Sequence, residues 1–303
     1  DNRIVLEKFD DYWMEDIPKV DQVNFNIVTE PSVQVQGLIG GDLHIIDTVL
    51  SGDLEVIRNT DDARLYRQTT ALVLVMAMNT ARPPLDRLEV RQAINHAIDK
   101  QAVLDVAYTG GEVVGTFMDT QSPYYVDFTD MHPHDPDRAR RLLEQAGVGD
   151  DVTLDLVVPQ NYEFHVRAAE MYNSMLSEVG LDTEIRLVDW STWISDVYRN
   201  TRYDLTVIGH TGKLDPDGRL SGEFAYTNWE NERAARLIEQ ARRVSGFSER
   251  KELYTEVLRI MAREAPFMYL GSPYLYVGLR EEVEGFVMDP TLDSYDFRTL
   301  RLE

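Results

Sequence analysis

The segment Tyr203–Leu220 reads YDLTVIGHTGKLDPDGRL, and the fold turns on how it is read. Asp204–Ile208 has the make-up of a short buried strand. It hands over to Gly209-His210-Thr211-Gly212-Lys213 and then to Asp215-Pro216-Asp217-Gly218. A strand that runs into two glycines and a proline predicts a crevice-lining loop at the carboxyl end of a sheet. Open α/β folds place their ligands at that edge. The plainer alternative is an ordinary strand-to-loop turn.

Upstream, Val152, Leu154, Leu156 and Val158 alternate as a strand. Phe164, Ala168, Met171, Tyr172, Met175, Leu176 and Val179 keep helical spacing, and Gly180 stops them. Ile185 and Leu187 mark another strand, and a helix near Ile194–Tyr198 leads back into the opening segment. Strand–helix–strand–helix–strand predicts a mainly parallel sheet covered by helices. Ala71–Met78, ALVLVMAM, predicts a strand buried on both faces. Val90, Ala93, Ile94, Ala97 and Ile98 share a helix face that Val103–Tyr108 continues, ending at Gly110-Gly111. Asp135-Pro136 starts another helix, with Asp as N-cap and Pro in the first turn.

Toward the N-terminus, Arg3–Phe9 and Val23–Ile27 predict strands, Pro31–Leu38 a helix stopped at Gly40-Gly41, Leu43–Val49 a strand and Leu54–Ile57 a short helix. Glu112–His134 is irregular, and loops of that length are functional or tightly pinned. Beyond the opening segment, two helices run near Ala234–Ala241 and Leu253–Met261, followed by extended PFMYLGSPYLYVGL from Pro266.

The composition excludes several function classes. The chain has 303 residues, 43% of them hydrophobic, enough for a packed core. No apolar run reaches membrane-span length, and Asp1-Asn2-Arg3 opens directly into Ile4-Val5-Leu6 without a targeting pattern, as expected too of a secreted protein whose signal has been removed. A net charge of −23 opposes nucleic acid and anionic lipid. Only Lys8, Lys19, Lys100, Lys213 and Lys251 are lysines; either a salty medium or an arginine-favouring, GC-rich genome accounts for this. With no cysteine, thiol catalysis, disulfides and Cys-ligated zinc are excluded. No dinucleotide or P-loop glycine motif, HExxH or Gly-x-Ser-x-Gly elbow is present, and no cofactor is implied. His132-Pro133-His134 offers a metal pair without an obvious third ligand and reads better as a solvated loop. His44, His96 and His165 fall in predicted strand or helix and read as structural.

Several stretches together resemble the extracytoplasmic solute-binding proteins of ABC importers, in the peptide/nickel/opine-type family (family 5). Leu6–Trp13 is similar to that family's Tyr-Trp turn, with Phe9 departing from its usual Asn-containing step. Leu38-Ile39-Gly40-Gly41-Asp42-Leu43-His44-Ile45 is similar to its L-x-x-G-E-I-D-I signature. Met78–Asp86 and Val90–Lys100 match its block N-x-x-x-P-P-x-D…V-R-Q-A-I-x-x-A-I-D-R. Tyr203–Gly209 and Asp215-Pro216-Asp217 match its strand and D-P-D loop, and Tyr254 and Pro266-Phe267 its C-terminal pattern.

The resemblance implies an α/β, periplasmic-binding-protein type II-like two-lobe fold, its second lobe complete and its first partial. Residues 79–265 would form the second lobe, and residues 1–78 and 266–303 the remaining parts of the first. Hinge crossings are expected near Met78-Asn79 and Tyr269–Ser272. The family's long N-terminal region is missing ahead of the Tyr-Trp turn, implying a cleaved segment or a second chain that completes the first lobe. The implied function is capture of a small solute for an ABC permease, not catalysis, at a periplasmic or extracellular location with a lipid anchor as an option. The implied ligand-binding residues are His210, Thr211, Gly212, Lys213, Asp215, Trp190, Asn79 and Tyr269. Peptide-binding relatives carry an acid where Lys213 stands, pairing it with the peptide ammonium. A lysine favours an anionic or modified peptide, an opine-like compound or an oligosaccharide. The competing readings are a surface lysine or an ion pair with Asp215 or Asp217, and core packing for Trp190 and Trp193. A hydrolase built on the Glu112–His134 loop is the other function class.

Overall fold

The computed structural model describes residues 2–149, 152–211, 215–220, 225–288 and 295–303. Gly212 and Lys213 therefore lie outside the described residues. The chain forms two compact units, residues 1–70 with 274–303 and residues 71–273.

In the smaller unit, β1 (Arg3–Glu7) and β2 (Gln22–Asn26) form an antiparallel hairpin. Every β1 side chain is exposed although three are Ile4-Val5-Leu6. Helix α1 (Pro31–Gly40) ends where Gly41 adopts φ 83°, a left-handed turn that glycine makes without steric cost. The Leu43–Val49 strand shrinks to β3 (Ile45–Ile46), and His44 is exposed beside it rather than packed. After α2 (Leu54–Arg58) comes β4 (Ala63–Thr69), which the sequence reading missed. It pairs antiparallel with Tyr274–Arg280.

The larger unit is a sheet with helices on both faces. In chain order it contains β5 (Leu72–Met78), α3 (Leu88–Ala97), α4 (Lys100–Ala107), β6 (Gly111–Val113), α5 (Pro136–Gln145), β7 (Thr153–Pro159), α6 (Glu163–Glu178) and β8 (Asp182–Val188). A turn of α7 (Trp190–Thr192) passes into a π-helix over Trp193–Arg199, followed by β9 (Leu205–Thr211), α8 (Pro216–Leu220), α9 (Glu232–Ala241), α10 (Phe247–Glu264) and β10 (Phe267–Arg280). The sheet order is β10-β5-β9-β7-β8. Only β9, β7 and β8 are parallel; β5 runs antiparallel to both β9 and β10, so the sheet is mixed rather than mainly parallel.

Strand parity sorts the core. On β5, Leu74, Met76 and Met78 enter one cluster with α3–α6, and Val73, Val75 and Ala77 enter another with the π-helix, α9 and α10. This is the two-faced burial that ALVLVMAM predicts. Strand β10 does the same, with Met268 and Leu270 on one face and Phe267 and Tyr269 on the other. Its first half pairs with β5 and β6; its second half, from Tyr274, belongs to the smaller unit. The chain thus passes between units at Thr70–Ala71 and Pro273–Tyr274. Each crossing is eight residues from the expected boundary, because β5 and the start of β10 are hydrogen-bonded into the larger unit's sheet.

The helix starts follow their caps. Asp135 accepts from Arg138 N ahead of α5, as predicted, and Asp99 accepts from Ala102 N, breaking α3 from α4. The 114–135 loop is pinned along α10. Arg250 Nη1 donates to Tyr124 Oη at 3.3 Å, Lys251 Nζ to Pro123 O at 2.7 Å, and His132 Nε2 to Ala262 O at 2.9 Å. His132 therefore serves as a helix-capping ring and not as a solvated loop residue.

Candidate functional site

The parallel strands β7, β8 and β9 end together, and each end delivers an aromatic or imidazole ring. Past β7 lies Tyr162, past β8 lies Trp190, and at the penultimate residue of β9 lies His210. Strand β9 pairs with β7 only at Leu205 and Thr206 but with β5 as far as Thr211, so the His210 end is held from the β5 side.

Trp190 stands at the mouth of the π-helix. Asp189 caps this turn, accepting from Ser191 Oγ, Thr192 N and Thr192 Oγ1, which hold its carboxyl well below the usual range. The Trp190 ring lies flat on Trp193, centroids 5.0 Å apart and planes 2° apart, and Tyr162 meets it edge-on at 5.9 Å. Trp190 is 41% exposed and Trp193 only 2%. Trp193 is core: its Nε1 donates to Thr206 Oγ1 at 2.9 Å, which donates onward to Val157 O at 2.7 Å. The wider π-helical turn also brings Tyr198 beside Trp193, ring centroids 6.2 Å apart and planes 25° apart.

This column continues into a second aromatic group. Tyr226 touches Trp193, Tyr198 and Phe267, and its hydroxyl lies 2.9 Å from His210 Nε2. Burial pushes the Tyr226 phenol up, so it stays protonated. Phe117, from the pinned loop, meets His210, Phe267 and Tyr269 in T-shaped contacts. Tyr269 is buried there, and its hydroxyl has no hydrogen-bond partner among the described residues.

The expected site residues thus separate. Trp190, His210 and Tyr269 join one aromatic chain through Trp193, Tyr226 and Phe117, and Thr211 is exposed next to His210. Asn79 is 1% exposed and spends its whole amide inside the protein. It donates to Thr201 O and Tyr203 O at 2.9 and 3.0 Å and accepts from Ala81 N and Asn228 Nδ2. Asp215 gives both oxygens to Arg250, at 2.6 and 3.0 Å. Asp217 accepts from Arg242 at 2.8 Å. Tyr226, Tyr198 and Tyr162 were missed because no residue spacing links them to His210 or Trp190. Among the described residues, no cluster of three or more His, Asp or Glu side chains could hold a metal ion.

Two cavities lie in the smaller unit, apart from this aromatic chain. One, of about 780 Å³, lies between the β1–β2 hairpin and Val287, Met288 and Tyr295–Arg298. The other, of about 390 Å³, is lined by β2, Leu43–Asp47 and the C-terminal residues.

Residues 1–231 match the model of a family described as bacterial extracellular solute-binding proteins, family 5 Middle. The chain is 29% identical over 294 residues to di/tripeptide-binding protein 1 of Pseudomonas aeruginosa (strain UCBPP-PA14), covering 92% of this chain and 55% of that protein. Among solved structures it resembles the ABC transporter substrate binding protein CtaP of Listeria monocytogenes, with TM-score 0.91, 20% identity, and coverage of 99% of this chain and 64% of that one. It also resembles the dipeptide binding protein of Pseudoalteromonas sp. SM9913 in complex with Met-Leu, with TM-score 0.78, 23% identity, and coverage of 100% and 62%. The chain spans between 54% and 61% of the length of the curated relatives it matches. These likenesses carry the fold, the α/β type II-like two-lobe class expected above. The proteins matched are described as binding proteins and not as enzymes.

Proposed function

Because the chain belongs to the family 5 bacterial extracellular solute-binding proteins, we propose that it captures a short peptide or peptide-like solute and delivers it to an ABC permease outside the cytoplasm. The observation that carries this reading is the aromatic chain at the carboxyl ends of β7, β8 and β9, capped by the exposed Trp190 ring. Flat exposed rings on a rigid base bind apolar side chains and planar groups without a large ordering cost. The ligands named for these relatives, di- and tripeptides and Met-Leu, suit that surface.

The ligand we favour carries a blocked or anionic end, because the motif resemblance matches Lys213 to an acidic position of the family's peptide binders. An N-modified peptide, an opine-like conjugate or an oligosaccharide fits this better than a free-amine peptide. His210 and Thr211 would share the site with Lys213, and residues 79–265 would form most of the lobe that presents them. A lipid anchor is part of this proposal.

We also propose that a further polypeptide covers the smaller unit, either a segment preceding residue 1 or a separate chain. Among the described residues, 11 of the 16 exposed large hydrophobics, Trp13 and Phe9 foremost, lie in this smaller unit. Apolar side chains on both faces of a two-stranded hairpin call for a cover.

The test is isothermal titration with Met-Leu, N-acetyl-Met-Leu, an opine and an oligosaccharide panel. N-acetyl-Met-Leu should bind more tightly than Met-Leu, and Lys213→Asp should reverse that order. Preference of the wild-type chain for the free amine would overturn the role given to Lys213. Failure to retain any of these solutes would overturn solute capture.

A further inference from the structure

The fold buries His165 almost whole and leaves one of its ring nitrogens without a partner. It is the third residue of α6, on the first turn past β7. The residue is 3% exposed, and its ring packs against Tyr162 at 5.5 Å, Phe164 at 4.7 Å and Tyr108 at 5.8 Å. Tyr162 is the ring that meets the exposed Trp190. His210, near the end of β9, lies close enough to oppose a positive charge on the His165 ring. His165 therefore belongs to the same carboxyl edge of β7, β8 and β9 as the aromatic chain.

Tyr108, the residue that ends α4, decides which nitrogen carries the hydrogen. Its Oη lies 2.7 Å from His165 Nδ1, and both residues are buried. Burial pushes the Tyr108 phenol well up, so it keeps its hydrogen, and holds the His165 imidazolium down to about 3, so the ring is neutral. The other titratable groups facing the pair are Arg167, Tyr172 and His210. Tyr172 Oη is sealed and has no hydrogen-bond partner, so it does not take the Tyr108 hydrogen. Among the described residues, Nδ1 is the only acceptor that Tyr108 Oη has. A hydrogen on Nδ1 would leave the buried hydroxyl hydrogen unpaired, which is costly. Nδ1 therefore accepts, and Nε2 carries the ring's hydrogen. Nε2 has no partner among the described residues and, unlike Tyr172 Oη and Tyr269 Oη, is not sealed from solvent. The buried ring thus presents one neutral N–H that can only donate.

We propose that His165 touches the captured solute through Nε2–H, donating to a carbonyl or carboxylate oxygen, and that Tyr108 is the positioning residue that fixes this tautomer. Such a group discriminates by hydrogen-bond polarity. It pairs with the carbonyl of an acylated amine and offers nothing to a free ammonium, which only donates. This preference is independent of Lys213. The contact rests on the solute-capture reading; the tautomer does not, and it is measurable without ligand.

Two measurements on the whole chain decide it. The first is nitrogen NMR of histidine-labelled protein without ligand, between about pH 5 and 8. His165 should show a bare Nδ1 and a protonated Nε2 throughout, and Tyr108→Phe should bring in the second tautomer. A protonated Nδ1 in the wild type overturns the proposal, and an unchanged tautomer in Tyr108→Phe overturns the positioning role. The second is titration with N-acetyl-Met-Leu and Met-Leu, each variant's melting temperature being followed alongside. His165→Asn places an amide where Nδ1 stood and nothing where Nε2 stood. It should weaken N-acetyl-Met-Leu about tenfold, the loss of one hydrogen bond. His165→Gln returns an N–H donor to the Nε2 position and should hold that affinity within about threefold of the wild type. Unchanged affinity in His165→Asn, or equal losses in the two variants that follow their melting temperatures, overturns the contact. If the wild type retains neither peptide, the solute-capture reading fails and takes the contact with it, while the NMR result still decides whether Tyr108 sets the tautomer.

Discussion

Replacing Asn79 by alanine removes four hydrogen bonds at the root of the larger unit. The bond to Tyr203 O is buried, and leaving that carbonyl unpaired costs about 1–3 kcal/mol. The other three, to Thr201 O, Ala81 N and Asn228 Nδ2, are part-buried. Water can replace these in part, so each contributes about 0.5–1 kcal/mol. The expected loss is about 3–5 kcal/mol, which for a unit of this size lowers the melting temperature by about 10 °C. Calorimetry and urea unfolding should agree, with the midpoint shifting and the denaturant slope unchanged. Because the amide has no donor or acceptor left for a ligand, the variant's solute affinity should change only as far as folding changes. A midpoint within about 2 °C of the wild type would refute the four-bond reasoning. An affinity loss at temperatures well below the melt would show that Asn79 touches solute after all.

Acid should weaken the fold through buried histidines. Burial depresses His132 to about 4 and His165 to about 3, each from an ordinary value near 6.5. Both are neutral in the native chain, so between those values the unfolded chain binds the extra protons. Their contribution is full above pH 6.5 and is lost as pH falls toward 4 and then 3, about 1.4 kcal/mol per unit for each. Urea midpoints between pH 7 and 4.5 should fall accordingly, and His132→Asn should flatten the slope; an unchanged slope rejects the assignment. Gly271→Ala should cost about 1–3 kcal/mol, since a Cβ there meets Glu112 O at 2.5 Å and Leu104 Cδ1 at 2.7 Å. Gly218→Ala, which meets nothing within 4 Å, should stay within about 0.5 kcal/mol; equal thermal shifts for the two would reject the close-approach argument.

What the sequence disclosed was periodicity and punctuation. The run at Ala71–Met78, the Asp135-Pro136 start and the Gly41 stop are local signals, and the structure realises each of them. Strand β4 was hidden because Arg64, Arg67 and Gln68 interrupt any apolar alternation; Arg67 stacks on Tyr274, a partner over two hundred residues away. The π-helix was read as an ordinary helix because its period departs from 3.6 only over a turn or two. In the site, Trp190 could be singled out, but not the Trp193 face beneath it. Asp215 could be singled out, but not Arg250, since among 53 acidic and 30 basic residues nothing local says which pair meets. His210 could be placed at the strand end, while its contact with Tyr226 depends on how the chain returns after α8.

Strand β10 carries an arithmetic constraint that neither unit would impose alone. Its odd residues Leu275, Val277 and Leu279 serve one core and Tyr276 another, with Gly278 so close to Ile46 and Leu38 that a Cβ would stand 2.7 Å from each. Its first half sorts four residues between two further cores. A single inserted or deleted residue near Pro273 would invert the parity of everything beyond it and drive a bulky side chain into the Gly278 slot. Length changes at that junction are therefore admissible only in pairs.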